Sequence, residues 1–289
     1  MKKTRYFIEF IFIYIFFSIL KVFPINFVSK LGGIFFQLFG PYTRHHKIAI
    51  SNFKKIYCNL SENEVKKNIL NAWNNLGKTF IEFSILNKIL DNKNNKIEIK
   101  GSETLYQIKN NNEQVIFFGL HQANWELLVP IIDKFGIDIG AIYRHINNPY
   151  IDQYILKKRK KTLTNKKTFF TPKGKKSAKD ILEAINQKLS MFILVDQKDS
   201  AGNNVKLFNL NVKTQLGFLK IARKYNLKLI PIQAIRKKIN NFTIIVHPPL
   251  KIYQNNKTDT ESMLEIHKII EKWITANPTQ WFWQHNRFG

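Results

Sequence analysis

The sequence is poor in several things, and each shortage excludes something. It has one cysteine in 289 residues, Cys58, so no internal disulfide and no multi-cysteine zinc or iron–sulfur site can form. Acidic residues are outnumbered, 20 Asp and Glu against 46 Lys and Arg, for a net charge of +26. Such a surface seeks anions: nucleic acid, anionic membrane, lipid phosphate or an acidic carrier protein. Glycine is scarce, at 12, and neither a Walker A loop nor a G-x-G-x-x-G fingerprint occurs. Mean hydropathy is −0.24, too low for a polytopic membrane protein. Arginine is the rarest cation: Arg5, Arg44, Arg144, Arg159, Arg223, Arg236 and Arg287 stand against 39 lysines. Heavy use of Lys, Asn, Ile and Phe fits drift toward A- and T-rich codons. Where charge alone is needed lysine suffices, so a surviving arginine hints at a position that needs a planar guanidinium.

What is present begins with an apolar run. Lys2, Lys3 and Arg5 precede 15 residues, Tyr6 to Leu20, interrupted only by Glu9 and Ser18. No small-x-small cleavage site follows, which argues against a removed signal peptide. A spanning helix needs about 20 apolar residues, and residues 6–23 supply 18. A second apolar stretch, Phe27 to Phe39, follows the helix-breaking Pro24. Basic flanks on both sides favour a hairpin-like insertion or a surface-lying anchor over a simple span. The alternative, a pair of buried core helices, lacks the polar face such helices carry. Residues 1–40 are therefore expected to form a membrane anchor and residues 41–289 the remaining domain.

Arg44 to Tyr57 reads as a basic amphipathic helix. Ser61 with Glu64 forms a capping box ahead of a helix carrying Val65, Ile69, Trp73, Leu76, Phe80 and Phe83. Beyond the polar linker Asp91 to Lys96, strands and helices alternate. Strands are expected at 97–99, 115–120, 139–143, 191–195, 227–235 and 242–246. Helices are expected at 124–134, 177–189, 213–225 and 262–276. The pattern predicts an α/β fold, a mostly parallel central sheet flanked by helices, behind an N-terminal hydrophobic anchor helix. Residues 157–179 hold 11 Lys and Arg and no acid, either a solvated basic loop or an anion-binding segment.

One histidine, His121, directly follows a buried strand, where α/β sheets place their ligands. Glu126 is five residues on, too far round a single helix to share its face. His121 is thus expected in a turn, with the Glu126 carboxylate reaching back to orient the imidazole as a general base. The bland alternative is a capping histidine beside a first-turn glutamate.

H-x-x-x-x-E after a strand resembles the first motif of the glycerolipid acyltransferase superfamily. Four further segments resemble the late (secondary) acyltransferases of lipid A biosynthesis, the lauroyl/myristoyl transferase family. These are Tyr143-Arg144-x-x-Asn147-Asn148-Pro149, Asp196-Gln197, the stretch Phe208 to Gly217 around Thr214, and Trp281-Phe282-Trp283-x-His285-x-Arg287-Phe288. Departures are Asn209 and Val212, where glycine and alanine are usual, Lys175-Lys176-Ser177 in place of glycine and arginine, and Asn286 in place of arginine. The resemblance implies transfer of a fatty acyl chain from acyl carrier protein to a hydroxyl of a lipid A precursor, at the cytoplasmic face of a bacterial inner membrane. It assigns catalysis to His121 and Glu126. Substrate contacts fall to Arg144, Asn147, Asp196, Gln197 and Arg287, with structural roles open for the last four. His285 and Arg287 are equally readable as packing partners of the tryptophans. No cofactor beyond the carrier's phosphopantetheine and no metal is implied. The expected partners are acyl carrier protein, an anionic lipid acceptor and the membrane, with no nucleic acid. Two rivals remain: the same chemistry on another lipid acceptor, and a non-enzymatic membrane-anchored nucleic-acid-binding protein that rests on charge alone.

Overall fold

The computed structural model describes residues 2–91, 96–172, 175–250 and 257–289. The middle of the linker (92–95), Lys173 and Gly174 of the basic stretch, and the side chains of Lys175 to Ala178 lie outside the described residues. In chain order the helices and strands are α1 (Lys2–Leu20), α2 (Ile25–Phe39), α3 (Arg44–Ile56), α4 (Glu62–Glu82), α5 (Leu86–Leu90), β1 (Ile97–Lys100), α6 (Ser102–Asn110), β2 (Val115–Gly119), α7 (Leu128–Lys134), β3 (Ile139–Tyr143), α8 (Pro149–Lys160), β4 (Phe169–Pro172), α9 (Lys175–Asn186), β5 (Ser190–Leu194), β6 (Asn203–Leu207), β7 (Leu210–Thr214), α10 (Gly217–Lys224), β8 (Lys228–Lys238), β9 (Asn241–Val246) and α11 (Asp259–Ala276).

Among the described residues seven strands form one sheet in the order β1-β9-β8-β2-β5-β3-β4. All neighbours run parallel except β8 and β9, which a tight turn joins. The parallel strands are near-continuous apolar runs because both of their faces are covered. Alternation along β2 shows this. Ile116 and Phe118 join a core with Ile69, Trp73, Ile270 and Trp273. Val115 and Phe117 face the opposite way, into a core with Leu128 and Ile132. The sheet is thus the middle of three layers, as the alternating pattern predicts.

Local chemistry explains several boundaries. The capping box of Ser61 and Glu64 forms, with the hydroxyl accepting from the Glu64 N–H and the carboxylate accepting from the Ser61 N–H. Pro130 does not break α7, because it falls in the first turn, where its missing N–H has no partner to lose. One expected element is corrected. Residues 213–225 are not a single helix: β7 ends at Thr214 and α10 starts at Gly217. The cause lies just upstream. Phe208 and Asn209 take φ of 51° and 62°, the double left-handed turn that closes the β6–β7 hairpin. Asparagine at 209 is the residue best suited after glycine to that backbone, which accounts for the departure there.

The N-terminal pair sits differently. Helix α2 packs on α4 backbone to backbone: a Cβ on Gly77 would lie 2.2 Å from the Gly32 carbonyl oxygen. Helix α1 lies along α8, with Phe10, Tyr14 and Phe17 against Tyr154 at ring separations of 5.7–6.3 Å. The other faces of both helices point outward and are apolar. Phe12 is 71 % exposed and Leu38 59 %, and Phe7, Ile15, Ile19 and Phe35 are exposed as well. Among the described residues no helix is long and apolar enough to cross a membrane.

Candidate active site

The carboxyl ends of β2, β5 and β3, three adjacent strands, carry His121, Asp196 and Arg144 respectively. This is where an open α/β sheet leaves a crevice. His121 leaves β2 in a turn, as its spacing from Glu126 requires. Ala123 follows at φ 49°, an uncommon conformation for alanine, costing about 1–2 kcal/mol. The turn is held from two sides. Thr79 on α4 donates its hydroxyl to the Ala123 carbonyl (2.6 Å), and the Ala123 N–H donates to the Gln280 carbonyl (2.9 Å). The Phe282 N–H donates to the His121 carbonyl (3.0 Å). The tryptophan-rich ending is thus a strap behind the turn.

Behind the strap lies a buried ion pair. Arg236 on β8 meets Glu82 on α4 with Nη1–Oε1 of 2.5 Å and Nη2–Oε2 of 2.9 Å. Ser29 of α2 and Asn124 of the turn donate to the same carboxylate at 2.5 and 2.8 Å. These contacts fill the lone pairs of a carboxylate that burial would otherwise penalise.

The imidazole itself is held by Asp196. Nδ1 lies 2.7 Å from Asp196 Oδ1, while Oδ2 accepts from the His121 N–H (3.0 Å) and from the Trp281 indole N–H (2.8 Å). Burial opposes the charge on Asp196, but His121, its hydrogen bonds and the indole overcome it and lower the pKa to about 2. An ionised carboxylate only accepts, so Nδ1 carries the proton and Nε2 keeps its lone pair. Gln197 Nε2 sits 3.2 Å from that Nε2. Trp125 and Phe282 flank the ring at centroid distances of 5.1 and 6.1 Å.

Glu126 is arranged otherwise than its spacing suggested. It does not hydrogen-bond the imidazole. Both its oxygens go to Arg159 on α8, with Nε–Oε2 of 2.8 Å and Nη2–Oε1 of 2.6 Å. The reason is geometric: Glu126 lies in the 3₁₀ turn 125–127 that leads into α7, facing α8, while Asp196 stands on the strand next to β2. Burial resists ionisation of Glu126, and Arg159 with a contribution from His121 keeps its pKa below the usual value. The Arg159 guanidinium is also stacked over Tyr143 and Phe170 at 5.6 and 5.8 Å. Sequence reasoning left Arg159 out of the site. The available signal was its rarity, one arginine among lysines at a position needing a planar fork.

The other expected contacts divide. Arg144 is exposed on the rim of the site. Asn147 is exposed and off the cavity wall, and the neighbouring Asn148 does the structural work. Asn148 caps α8 and donates to the Tyr6 carbonyl and Glu9 carboxylate of α1 (2.8 and 3.0 Å). Asp152 fastens the same loop through His145 and the Ile146 N–H (2.7 and 2.9 Å). Arg287 is 1 % exposed and does not line the cavity. Its guanidinium donates to the Lys213 carbonyl (2.6 Å) and the Thr214 hydroxyl (2.7 Å), so it fastens the β6–β7 hairpin to the chain end. Burial lowers its pKa to about 10. His285 accepts from the Lys198 N–H (2.8 Å), again a packing role. Asn286 is exposed.

A cavity of about 460 Å³ opens beside the histidine. His121, Gln197 and Arg144 line its mouth, and Ala141, Ile142, Phe170, Phe192, Ile193 and Phe218 are among its apolar walls. A largely apolar cavity with convergent polar groups is the general form of a small-molecule binding site. A family model described as bacterial lipid A biosynthesis acyltransferase matches residues 1–289. The chain belongs to that family. Among its relatives, the lipid A biosynthesis palmitoleoyltransferase of Escherichia coli (strain K12) is 23 % identical over 250 residues, 85 % of this chain and 79 % of that one. The lipid A biosynthesis acyltransferase of Shigella flexneri matches to the same extent. Among solved structures, the 1-acyl-sn-glycerophosphate acyltransferase of Thermotoga maritima aligns with a TM-score of 0.38 at 12 % identity, over 88 % of this chain and 99 % of that one. In this member of the lipid A acyltransferase family, His121 and Glu126 line one cavity, each with its own partner: the buried Asp196 for His121 and the part-buried Arg159 for Glu126.

Proposed function

We propose that the protein transfers a fatty acyl chain from an acyl carrier protein thioester to a hydroxyl of a lipid A precursor. The observation that carries this is His121. Asp196 holds its Nδ1, Gln197 lies 3.2 Å from its Nε2, and both His121 and Gln197 line a cavity with mostly apolar walls. A hydroxyl attacks a thioester only as a base removes its proton. Nε2 takes that proton as the acceptor oxygen bonds to the carbonyl carbon. Asp196 supports the imidazolium that forms. The tetrahedral intermediate collapses, the carbon–sulfur bond breaks, and the leaving thiolate takes the proton back from Nε2. The products are an ester and the carrier's free thiol. Gln197 must give up its contact with Nε2 for the acceptor to enter, and its amide is then a side-chain donor available to the oxyanion. Glu126, kept charged by Arg159, adds negative potential toward the imidazolium, and the pair closes the cavity wall. The reaction needs no cofactor of its own.

In this reading residues 1–40 attach the protein to the cytoplasmic face of the inner membrane through the outward faces of α1 and α2, and residues 41–289 do the chemistry. The acidic carrier docks on the basic surface, so docking weakens with salt. The test uses the purified full chain in detergent micelles with carriers bearing a range of chain lengths and a lipid A precursor. The wild type adds a chain, and His121→Ala loses that by at least about a hundredfold. Acylation of phospholipid acceptors alone would move the assignment to another acceptor. Nucleic-acid binding without transfer would replace it.

A further inference from the structure

A second pocket, of about 440 Å³, lies where α1 ends against α8 and the 83–88 segment. Five lysines line it: Lys21, Lys88, Lys157, Lys158 and Lys161. No carboxylate lines it among the described residues. Three of the lysines belong to the last turn of α8 and its C-cap, where the helix dipole alone favours cations. That does not account for Lys21, which follows α1, or for Lys88 of α5, whose ammonium donates to the Lys21 carbonyl, and the two side chains line the same space. Their convergence is costly. Burial first, then Lys21 and Lys161, lowers the Lys158 pKa to about 8, and its ammonium is left to donate to the Ser84 carbonyl at 3.1 Å. The floor of the pocket is apolar, made of Tyr14, Phe83, Leu86 and Tyr154. Beside it α1 presents Ile19, and the turn after it Val22, both exposed, the latter 82 %.

We propose that this pocket binds the phosphate head group of a lipid, with the lysines around the phosphate and the lipid's apolar part on the aromatic floor and the exposed end of α1. An anion supplies the charge that no side chain of the pocket supplies, and several charge-assisted hydrogen bonds at once. Phe83 is a wall of both this pocket and the His121 cavity, so a phosphate held here is one ring away from the acyl site. Two lipids offer this chemistry: the phosphorylated acceptor, if the acyl-transfer reading holds, and a bystander anionic membrane lipid.

The test titrates the full chain in non-ionic detergent with dihexanoyl phosphatidic acid, against dihexanoyl phosphatidylcholine and inorganic phosphate. The phosphatidic acid binds the wild type best. Lys88→Gln/Lys157→Gln/Lys161→Gln weakens it by at least about tenfold. Lys66→Gln/Lys67→Gln/Lys224→Gln removes the same charge from other exposed positions and has a much smaller effect. The corresponding triple Lys→Arg variant keeps binding, and thermal melting confirms that each variant is folded. Equal weakening by the two Gln triples, equal binding of the choline lipid, or equal binding of inorganic phosphate would each overturn the proposal. None of these readouts needs catalysis. In the transfer assay, a raised KM with unchanged kcat in the pocket triple assigns the phosphate to the acceptor. An unchanged KM assigns it to a bystander lipid.

Discussion

The two ends of the chain's business, the N-terminal helix pair and the His121 turn, are built on opposite rules. In α2 the small residues are inside, at Gly32 against Gly77 of α4, and in both α1 and α2 a row of large apolar side chains, Phe12 and Leu38 among them, is outside. At the turn the polar residues are inside: Glu82, Asn124, Asp196 and Arg236 are all under 9 % exposed. The first arrangement makes sense only if something apolar covers the outer face. The second makes sense only if position matters more than stability, because a buried ion pair rarely outdoes a well-packed apolar one. The link between them is Ser29, which reaches from α2 into the Glu82 carboxylate.

The comparison can be broken at either end. The largest effect is expected at the turn. His121→Ala leaves the fold intact by circular dichroism and lowers acyl transfer by at least about a hundredfold. Glu82→Gln acts on stability instead. It leaves Arg236 buried opposite a neutral group, and chemical denaturation should show a loss of about 3–5 kcal/mol. At the other end, Gly77→Ala pushes a methyl into the Gly32 carbonyl and should cost about 1–3 kcal/mol, read from the same denaturation curves. Replacing Phe12, Ile15 and Ile19 together by Gln should leave those curves nearly unchanged, because these side chains are exposed. The same triple should release protein from sedimented vesicles.

A further expected effect is a slope with pH. His267 is fully buried, donates from Nδ1 to the Lys206 carbonyl (2.6 Å), and has its pKa lowered to about 4, chiefly by burial. Its folded value lies below the unfolded value of 6.5, so unfolding takes up a proton between these pH values. Its contribution is complete above pH 6.5 and is lost as pH falls toward 4, at a slope of about 1.4 kcal/mol per pH unit. His267→Gln should flatten that part of a stability–pH curve.

Much of this was legible in the residues, and the reasons differ from place to place. The strands were legible because VIFFG and SMFIL are buried on both faces and leave no polar position to confuse the period. His121 was legible because it ends such a strand. Its partner was not. Spacing along the chain favoured Glu126, but the neighbour of β2 in the sheet is β5, 75 residues away from His121 at Asp196, and strand order is not written in any local window. Arg287 shows the same limit. Its motif marks it as important without saying that its guanidinium is spent on a hairpin carbonyl and Thr214. The hairpin was missed because the expected helix begins at Lys213, inside β7, and only the φ values at Phe208 and Asn209 mark the turn before it.

On the proposed mechanism Asp196, and not Glu126, positions the His121 base. Single-turnover acyl transfer as a function of pH, for Asp196→Asn and Glu126→Gln each checked for folding, decides between the two. Asp196→Asn should lower kcat by about a hundredfold or more and shift the pH profile of the remaining activity, since an amide no longer favours the Nδ1 proton or the imidazolium. Glu126→Gln loses less kcat, keeps the profile and is destabilised through the unpaired Arg159. The reverse, a profile that moves with Glu126 and not with Asp196, would contradict it.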